Sequence, residues 1–327
     1  MNPFRSLSSR PYALAGVLAG IALVLAACTT APSTPYTLDA TFTTCGATGP
    51  TGPNQTACDA AYSGTDLAGE VSVAAGIQSF TVEASGTYRI TVEGAEGASA
   101  EPAFVGGRGA RAQADLDLSA GDVLKIAVGQ AGSGADSDTN GGGGGGSFVV
   151  GGSDVPLVIA GGGGGMRTNA TQNGCDANTG TFGIAGSGFS STNACDPKGD
   201  AETFGGAISS DSYGSAGAGF FGDGANDVSG GTTWGFGGAS WANGLVGGDG
   251  NDEPGCGVAA EGGFGGGGSG SGCNGGGGGG GYSGGDGGWI AGGGGSFVTA
   301  SATNTSVVVG AGIGLGDGVV TIEYLGD

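Results

Sequence analysis

The sequence predicts an all-β fold: an antiparallel β-sandwich with an inserted glycine-rich bundle and almost no α-helix outside the N-terminal leader. Three observations point there. Apolar and polar residues alternate with period two through Phe80 to Val82, Tyr88 to Val92 and Leu124 to Val128, as in half-buried strands. Turn signals interrupt these runs at the roughly 8 to 12-residue spacing of sandwiches. Finally, 84 Gly and 10 Pro among 327 residues stand beside 13 Phe, 7 Tyr and 3 Trp, with 38% hydrophobic residues overall. Glycine loses the most conformational freedom on folding, so such a chain either stays disordered or recovers that entropy through dense backbone packing. The hydrophobic and aromatic content is that of a chain with a core. Collagen is excluded, since no Gly-X-Y register persists.

In chain order, residues 1–27 read as a lipoprotein signal peptide. Arg5 and Arg10 form a positive start, and residues 12–27 form an apolar run shorter than the ~20 residues that span a bilayer. The run ends Leu25-Ala26-Ala27-Cys28, the pattern of a bacterial lipobox, in which cleavage precedes the Cys and lipid is attached to it. Two or three acyl chains on Cys28 would anchor firmly where one would be marginal. Thr29 in place of Asp gives no signal for inner-membrane retention in a Gram-negative host. Residues 28–38 are rich in Thr, Pro and Ser and suit a tether. No later apolar stretch approaches 18 residues, so a membrane-spanning helix is not expected in the rest of the chain.

Residues 39–327 are expected to form one composite domain, with sandwich strands over 40–165 and 292–326 and a polyglycine and loop insertion over 166–291. Residues 40–62 open with a strand and continue into a turn-rich loop carrying Gly49-Pro50 and Gly52-Pro53. Strands follow around 77–82, 88–92, 112–118 and 123–128, the last two joined by a Ser-Ala-Gly-Asp turn. A glycine run at 141–146 then feeds Ser147-Phe148-Val149-Val150, and Pro156 to Ala160 leads into the run 161–165. The end of the chain echoes this, with Gly at 292–295 before Ser296-Phe297-Val298, and Val307 to Val309 after it. A last strand places Val320, Ile322 and Tyr324 on one face. Inside the insertion, Phe182, Phe220, Phe221, Trp234, Phe236 and Trp241 argue against a plain flexible linker.

Function classes can be excluded from composition. No His is present, which removes Ser-His-Asp and Cys-His catalysis and histidine zinc sites. No Gly-Lys-Ser/Thr completes a phosphate loop. Loss of Arg5 and Arg10 with the leader takes the formal charge from −21 to −23, a surface that repels nucleic acid and suits a basic protein or cell-surface ligand, with solubility and mutual repulsion as the alternative reading of the same charge. Asp249 and Asp252 in Gly-Gly-Asp-Gly-Asn-Asp, with Asp223 and Asp227 in a similar context, are calcium candidates. Solvated acidic turns are the alternative, because the nonapeptide calcium motif works by stacking many copies. Carboxylate-based sugar hydrolysis needs a spaced pair of acids, and no spacing singles one out. No cofactor is expected. Besides Cys28, six Cys remain at 45, 58, 175, 195, 256 and 273, an even number suited to three disulfides in an exported protein. Fifteen connectivities are open. Nearest-neighbour pairing would close short loops, each contributing ~3 kcal/mol.

The glycine runs themselves can adopt polyglycine-II helices, extended and left-handed with three residues per turn. Without side chains such helices can lie close and bond laterally, satisfying backbone groups that a buried loop would leave open.

From about Ala40 to Leu325 the chain resembles the glycine-rich ectodomain of the anaplastic lymphoma kinase and leukocyte tyrosine kinase receptor family. The resemblance is carried by FTTCGATGPTGP at 42–53 with Cys58, GTYRI at 86–90 with GAEG at 94–97, DVLKIAVGQ at 122–130, PLVIAGGGG at 156–164, GGFGGGG at 262–268 with Cys273, and the run at 275–285. It implies a tumour-necrosis-factor-like sandwich with polyglycine-II helices between its strands, and disulfides Cys45–Cys58 and Cys256–Cys273. In that family the region binds basic helical cytokines and dimerises, so a basic ligand and a homodimer are expected. Kinase motifs are absent. Cys175 and Cys195 lie outside the family pattern, and no ligand-contact residue is carried over. The reading is a non-enzymatic lipoprotein of the cell envelope, facing outside the cytoplasm and displaying a binding module. It would sit in the outer membrane of a Gram-negative host or the cell membrane otherwise. A rigid structural or adhesin-like component is the alternative.

Overall fold

The computed structural model describes residues 36–100, 104–134, 140–168, 172–187, 195–198, 204–208, 214–251, 260–271 and 275–327. The expected leader at 1–27, Cys28, Cys256, Cys273 and Asp252 lie outside them. Residues 37–327 form one compact unit, separate from the preceding segment. Its strands are β1 (Asp39–Phe42), β2 (Val71–Ala74), β3 (Ile77–Thr81), β4 (Gly86–Glu93), β5 (Arg111–Leu118), β6 (Val123–Ala127), β7 (Ser147–Gly151), β8 (Val155–Ala160), β9 (Asp227–Ser229), β10 (Thr232–Gly235), β11 (Phe297–Val298), β12 (Thr303–Val308) and β13 (Val319–Gly326). A five-stranded sheet runs β1-β13-β4-β5-β12, and a six-stranded sheet runs β11-β8-β7-β6-β3-β2. The small hairpin β9–β10 stands apart. Every ladder is antiparallel, and β4 and β5 lie against β7, β8 and β11. The all-β sandwich is as the alternation predicts.

Alternation decides which faces meet. Tyr88, Ile90 and Val92 of β4 are fully buried, while Thr87, Arg89, Thr91 and Glu93 between them are only partly covered. The six-stranded sheet is covered on both sides at its centre, and β7 is buried along its whole length. On the side away from the five-stranded sheet, Ala127, Phe148, Val150 and Ile159 pack with Phe220, Trp241, Leu245 and Phe264 from the insertion. That double burial explains the continuous apolar run Phe148-Val149-Val150.

Among the described residues one α-helix interrupts the β architecture, beside two single-turn 3-10 helices at Gly152–Asp154 and Trp241–Asn243. α1 (Gln55–Ala61) starts at Asn54, whose side chain accepts a hydrogen bond from Ala57 N at 3.0 Å, a standard N-cap. It buries Cys58, which is bonded to Cys45. The sequence reading of 40–62 as strand plus turn-rich loop misses this helix. Seven residues are too few for a visible period, and cap and disulfide hold the turn instead.

The connections at one pole of the sandwich form the glycine bundle, and they continue the strands in register. Ser147 pairs with Ala160 at the end of β7 and β8. Three residues on, Gly144 N donates to Gly163 O at 2.8 Å, and three further on Gly141 N donates to Met166 O at 2.9 Å. The β6–β7 ladder ends at Ala127 and Phe148 and continues as Gly145 N to Gln130 O and Gly142 N to Ser133 O, both 2.9 Å. From Glu93 opposite Arg111, β4 and β5 continue as Gly94 N to Ala110 O and Gly97 N to Gly107 O, again 2.9 Å. Residues 143 and 146 donate to a third neighbour, Gly268 O and Gly265 O. The chain therefore turns through three directions before it returns to the same partner, which is the three-residue turn of polyglycine II. A strand bonds sideways in two directions only.

The third direction closes the sandwich. Side chains hold packed sheets about 10 Å apart. Beyond the strand ends, Ala95 N donates to Gly145 O and Gly163 N to Ala95 O, each at 2.9 Å, so the extension of β4 bonds directly to those of β7 and β8. Residues 276–281 thread between them: Gly277 and Gly280 donate to Gly141 and Gly144, and accept from Gly165 and Gly162. The hydrogen-bonded bundle thus draws on 94–100, 104–110, 128–134, 140–146, 161–166 and 292–296 as well as on described residues of the insertion. A Cβ built on Gly143 would strike the carbonyl of Gly278, one on Gly163 that of Gly107, and one on Gly279 that of Gly162. Asp39 pairs with Glu323, which places both ends of the unit at the pole away from the bundle.

Gly279→Ala is expected to lower stability by at least about 2 kcal/mol, because the methyl meets backbone that cannot rotate away. Gly152→Ala, with open space at that position, is expected to change it by less than about 0.5 kcal/mol. Denaturant unfolding of both variants checks this, and equal effects would contradict the packing.

Candidate ligand-binding clefts

A single loop, residues 240–246, separates two clefts on the insertion side of the six-stranded sheet. Asp223 holds it. One carboxylate oxygen accepts from Ser240 N at 2.7 Å, and both accept from Asn243 Nδ2 at 2.9 and 2.8 Å. Burial works to raise the Asp223 pKa, but these donors outweigh it and the carboxyl is held below its ordinary value. Asn243 N and Leu245 N both donate to Ser240 O, and the loop turns through Gly244 (φ +89°) and Leu245 (φ +57°). The carbonyl of Leu245 accepts from Gly265 N and Gly266 N at 2.9 and 3.0 Å, which ties the loop to the bundle.

The first cleft, of about 410 Å³, is lined by Ile77, Lys125, Asp154, Phe220, Phe221, Trp241 and Ala242. Phe220 stacks on Trp241 at 5.5 Å and meets Phe221 edge-on at 4.8 Å, while Phe221 itself is 56% exposed. Asp154 accepts from Lys125 Nζ at 2.7 Å and Trp241 Nε1 at 3.1 Å. Lys125 first, and then Trp241, hold its carboxyl below the usual range. Ser153 and Asp154 sit at φ +57° and +56°, a left-handed pair that is strained for residues other than glycine. The second cleft, of about 450 Å³, lies between residues 51–55, Val73 with Ala75 and Gly76, and the far side of the loop (Asn243, Gly244, Val246), with Phe264 in its wall. Ala75 there has φ +48°. Three of the seven non-glycine residues at positive φ among the described residues, Ala75, Asp154 and Leu245, thus belong to these clefts or the loop between them, and a fourth, Ser153, directly precedes Asp154.

The acidic charge is not offset by spare cations. The six basic residues among the described residues all have partners: Arg89 with Asp115, Arg108 with Asp176, Arg111 with Glu93, Lys125 with Asp154, and Lys198 with Asp286. Arg167 lies 4.2 Å over the Trp289 ring. The Arg89 pair is bidentate, at 2.8 and 2.9 Å, and Asn304 adds a bond to Asp115 at 3.1 Å. Arg89 holds the Asp115 carboxyl below its ordinary value.

Of the sites read from the sequence, Cys45–Cys58 and Cys175–Cys195 are bonded. Asp249 offers its carbonyl to Phe236 N at 2.8 Å. Asp227 is buried, and its N–H donates to Ser215 Oγ at 3.3 Å. Among the described residues no group of three or more His, Cys, Asp or Glu gathers as a metal site, and no helix is long and apolar enough to cross a membrane. Sequence reasoning missed the clefts. Phe220, Phe221 and Trp241 stand out in the insertion, but nothing in the sequence joins them to Ile77, Lys125 and Asp154.

Comparison with known proteins gives a narrow result. No family model matches the chain. A stretch of 98 residues is 38% identical to the leukocyte tyrosine kinase receptor of Mus musculus, covering 29% of this chain and 11% of the receptor. The chain thus spans a small fraction of that relative's length. The similarity is a distant link to the ectodomain of that receptor family. With two disulfides, it points to a protein of the extracellular space or the envelope.

The Asp154 contacts carry a pH prediction. A carboxyl held below its unfolded pKa stabilises the fold above that pKa, and the contribution is lost as pH falls through the folded value. In a Trp234→Phe/Trp289→Phe background, Trp241 emission should therefore shift on acidification below about pH 4. Adding Asp154→Gly, which removes the acceptor and tolerates the left-handed backbone, should give the shifted emission already at neutral pH and flatten the titration. Emission unchanged by that substitution would contradict the assigned contact.

Proposed function

We propose that this protein is a non-enzymatic binding module of the cell envelope, lipid-anchored through Cys28, whose ligand docks at the clefts on either side of residues 240–246. The observation that carries the binding reading is the concentration of strained backbone at these clefts, held by Asp223, Asp154 and the bundle. Such strain persists where surrounding structure over-determines it, and it collects at functional sites. Rigidity of this kind lowers the ordering cost of binding. The ectodomain-like stretch supports the same reading by analogy. The lipobox-like Leu25-Ala26-Ala27-Cys28 supports the anchor. A basic protein partner, met by the acidic surface outside the clefts, and a homodimer remain part of the proposal on the charge and the resemblance. The hydrogen-bonded bundle favours a second reading, a stiff structural or adhesin-like component with no specific soluble ligand.

Two experiments separate these. Cys28→Ser should abolish metabolic labelling with palmitate and release the chain from membranes, and retained labelling would refute the anchor. Full-length protein on vesicles should retain a saturable component of envelope or secreted extracts. Phe221→Ser with Val246→Ser, both at exposed positions, should reduce that retention at least tenfold. Retention that is unsaturable, or indifferent to the pair, would favour the structural reading.

A further inference from the structure

We propose that the two clefts take one neutral oligosaccharide, laid across the ridge formed by Trp241, Ala242 and Asn243. This rests on the binding-module reading and names its ligand class. In a chain of formal charge −21, the charged residues lining the clefts are Lys125 and Asp154, and they neutralise each other at 2.7 Å. A cationic ligand would find no unpaired carboxylate there, and an anionic one would have to displace Asp154 from Lys125. The ligand that fits is uncharged.

The surface offered is aromatic on one side of the ridge and amide-bearing on the other. Phe221 presents a ring 56% exposed, backed edge-on by Phe220 and by Trp241 beyond it, and an aromatic face is a platform for the C–H face of a pyranose ring. Across the ridge the wall is apolar at Pro53, Val246 and Phe264, with side-chain amides at Asn54, Gln55 and Asn243. Amides both donate and accept, as hydroxyl recognition requires. Gln55 is committed, since Nε2 donates to Asp59 and Val71 and Oε1 accepts from Val73 N. Asn54 uses its Oδ1 to cap α1, and Asn243 uses its Nδ2 on Asp223. Asn54 Nδ2 and Asn243 Oδ1 are thus the donor and acceptor assigned to ligand hydroxyls. The two cavities, about 410 and 450 Å³, each fall in the range of small-molecule sites and face opposite sides of one short loop, as subsites of a chain-like ligand would.

Calorimetric titration of the full-length protein with neutral gluco-, manno-, galacto- and N-acetylglucosamine oligosaccharides of two to six units tests this. Saturable binding is expected, with an affinity that changes less than about twofold between low and high salt, since screening acts on charges. Phe221→Ala should weaken it at least tenfold with unfolding unchanged. Asn54→Asp, which keeps an N-cap of equal strength but removes the donor, should weaken it at least threefold. No saturable binding across the panel, or binding indifferent to both variants, overturns the proposal. If the saccharides fail and an oligolysine peptide binds in a salt-dependent way lost in Phe221→Ala, the module still binds ligand there and the saccharide assignment falls.

Discussion

The rest of the structure depends on one constraint: a backbone stripped of side chains must still pair its N–H and C=O groups once it is buried. In the sandwich, strands meet this with sideways ladders and leave the third direction to side chains. At the strand ends the side chains stop, and the third direction becomes available to the backbone. Gly144, Gly145 and Gly146 then donate to Gly163, Gln130 and Gly265 in turn. The conformational entropy that glycine loses on folding is offset by a dense array of satisfied hydrogen bonds. A Cβ almost anywhere in that array would meet a carbonyl, so the composition is a packing requirement and not a sign of looseness.

The same array mounts the clefts. Gly281 N donates to Ala218 O, Ala218 N to Gly266 O, and Gly266 N to Leu245 O. This path runs from the polyglycine run 276–281 to the loop between the clefts. Phe220 and Tyr282 are joined by a backbone hydrogen bond at 3.0 Å, and Tyr282 stacks on Phe297 at 4.4 Å. The exposed Phe221 is therefore carried on a backbone with little freedom. A sheet, a bundle and one strained loop together do what a flexible loop of this composition could not.

How much of this the sequence disclosed follows from the range of each interaction. Period-two alternation is local, so β4, β6 and β13 could be read directly, whereas the double burial of β7 follows only once the insertion packs on the six-stranded sheet. Polyglycine II was legible as a conformation, because runs of six or seven glycines leave few others that pack. Its register was not, since a glycine run carries no pattern to mark which residue faces which chain. β2 and α1 escaped because each is short and held by distant contacts: Gln55 bonds to Val71 and Val73, and Cys45 to Cys58. The β9–β10 hairpin had a local signal in Gly230-Gly231, both at positive φ, as two-residue hairpin turns require. The clefts join Ile77, Lys125, Asp154, Phe221 and Trp241 from separate parts of the chain, and only the folded topology brings these together.

Amide hydrogen exchange measured residue by residue tests the central claim most directly. Glycine amides at 141–146, 162–165 and 276–281 are predicted to exchange as slowly as those of β4 and β5, because each is buried and donates to a backbone carbonyl. Exchange of those glycines at the rate of exposed loops, with the strands still protected, would show that no hydrogen-bonded bundle continues the sandwich, and would contradict it.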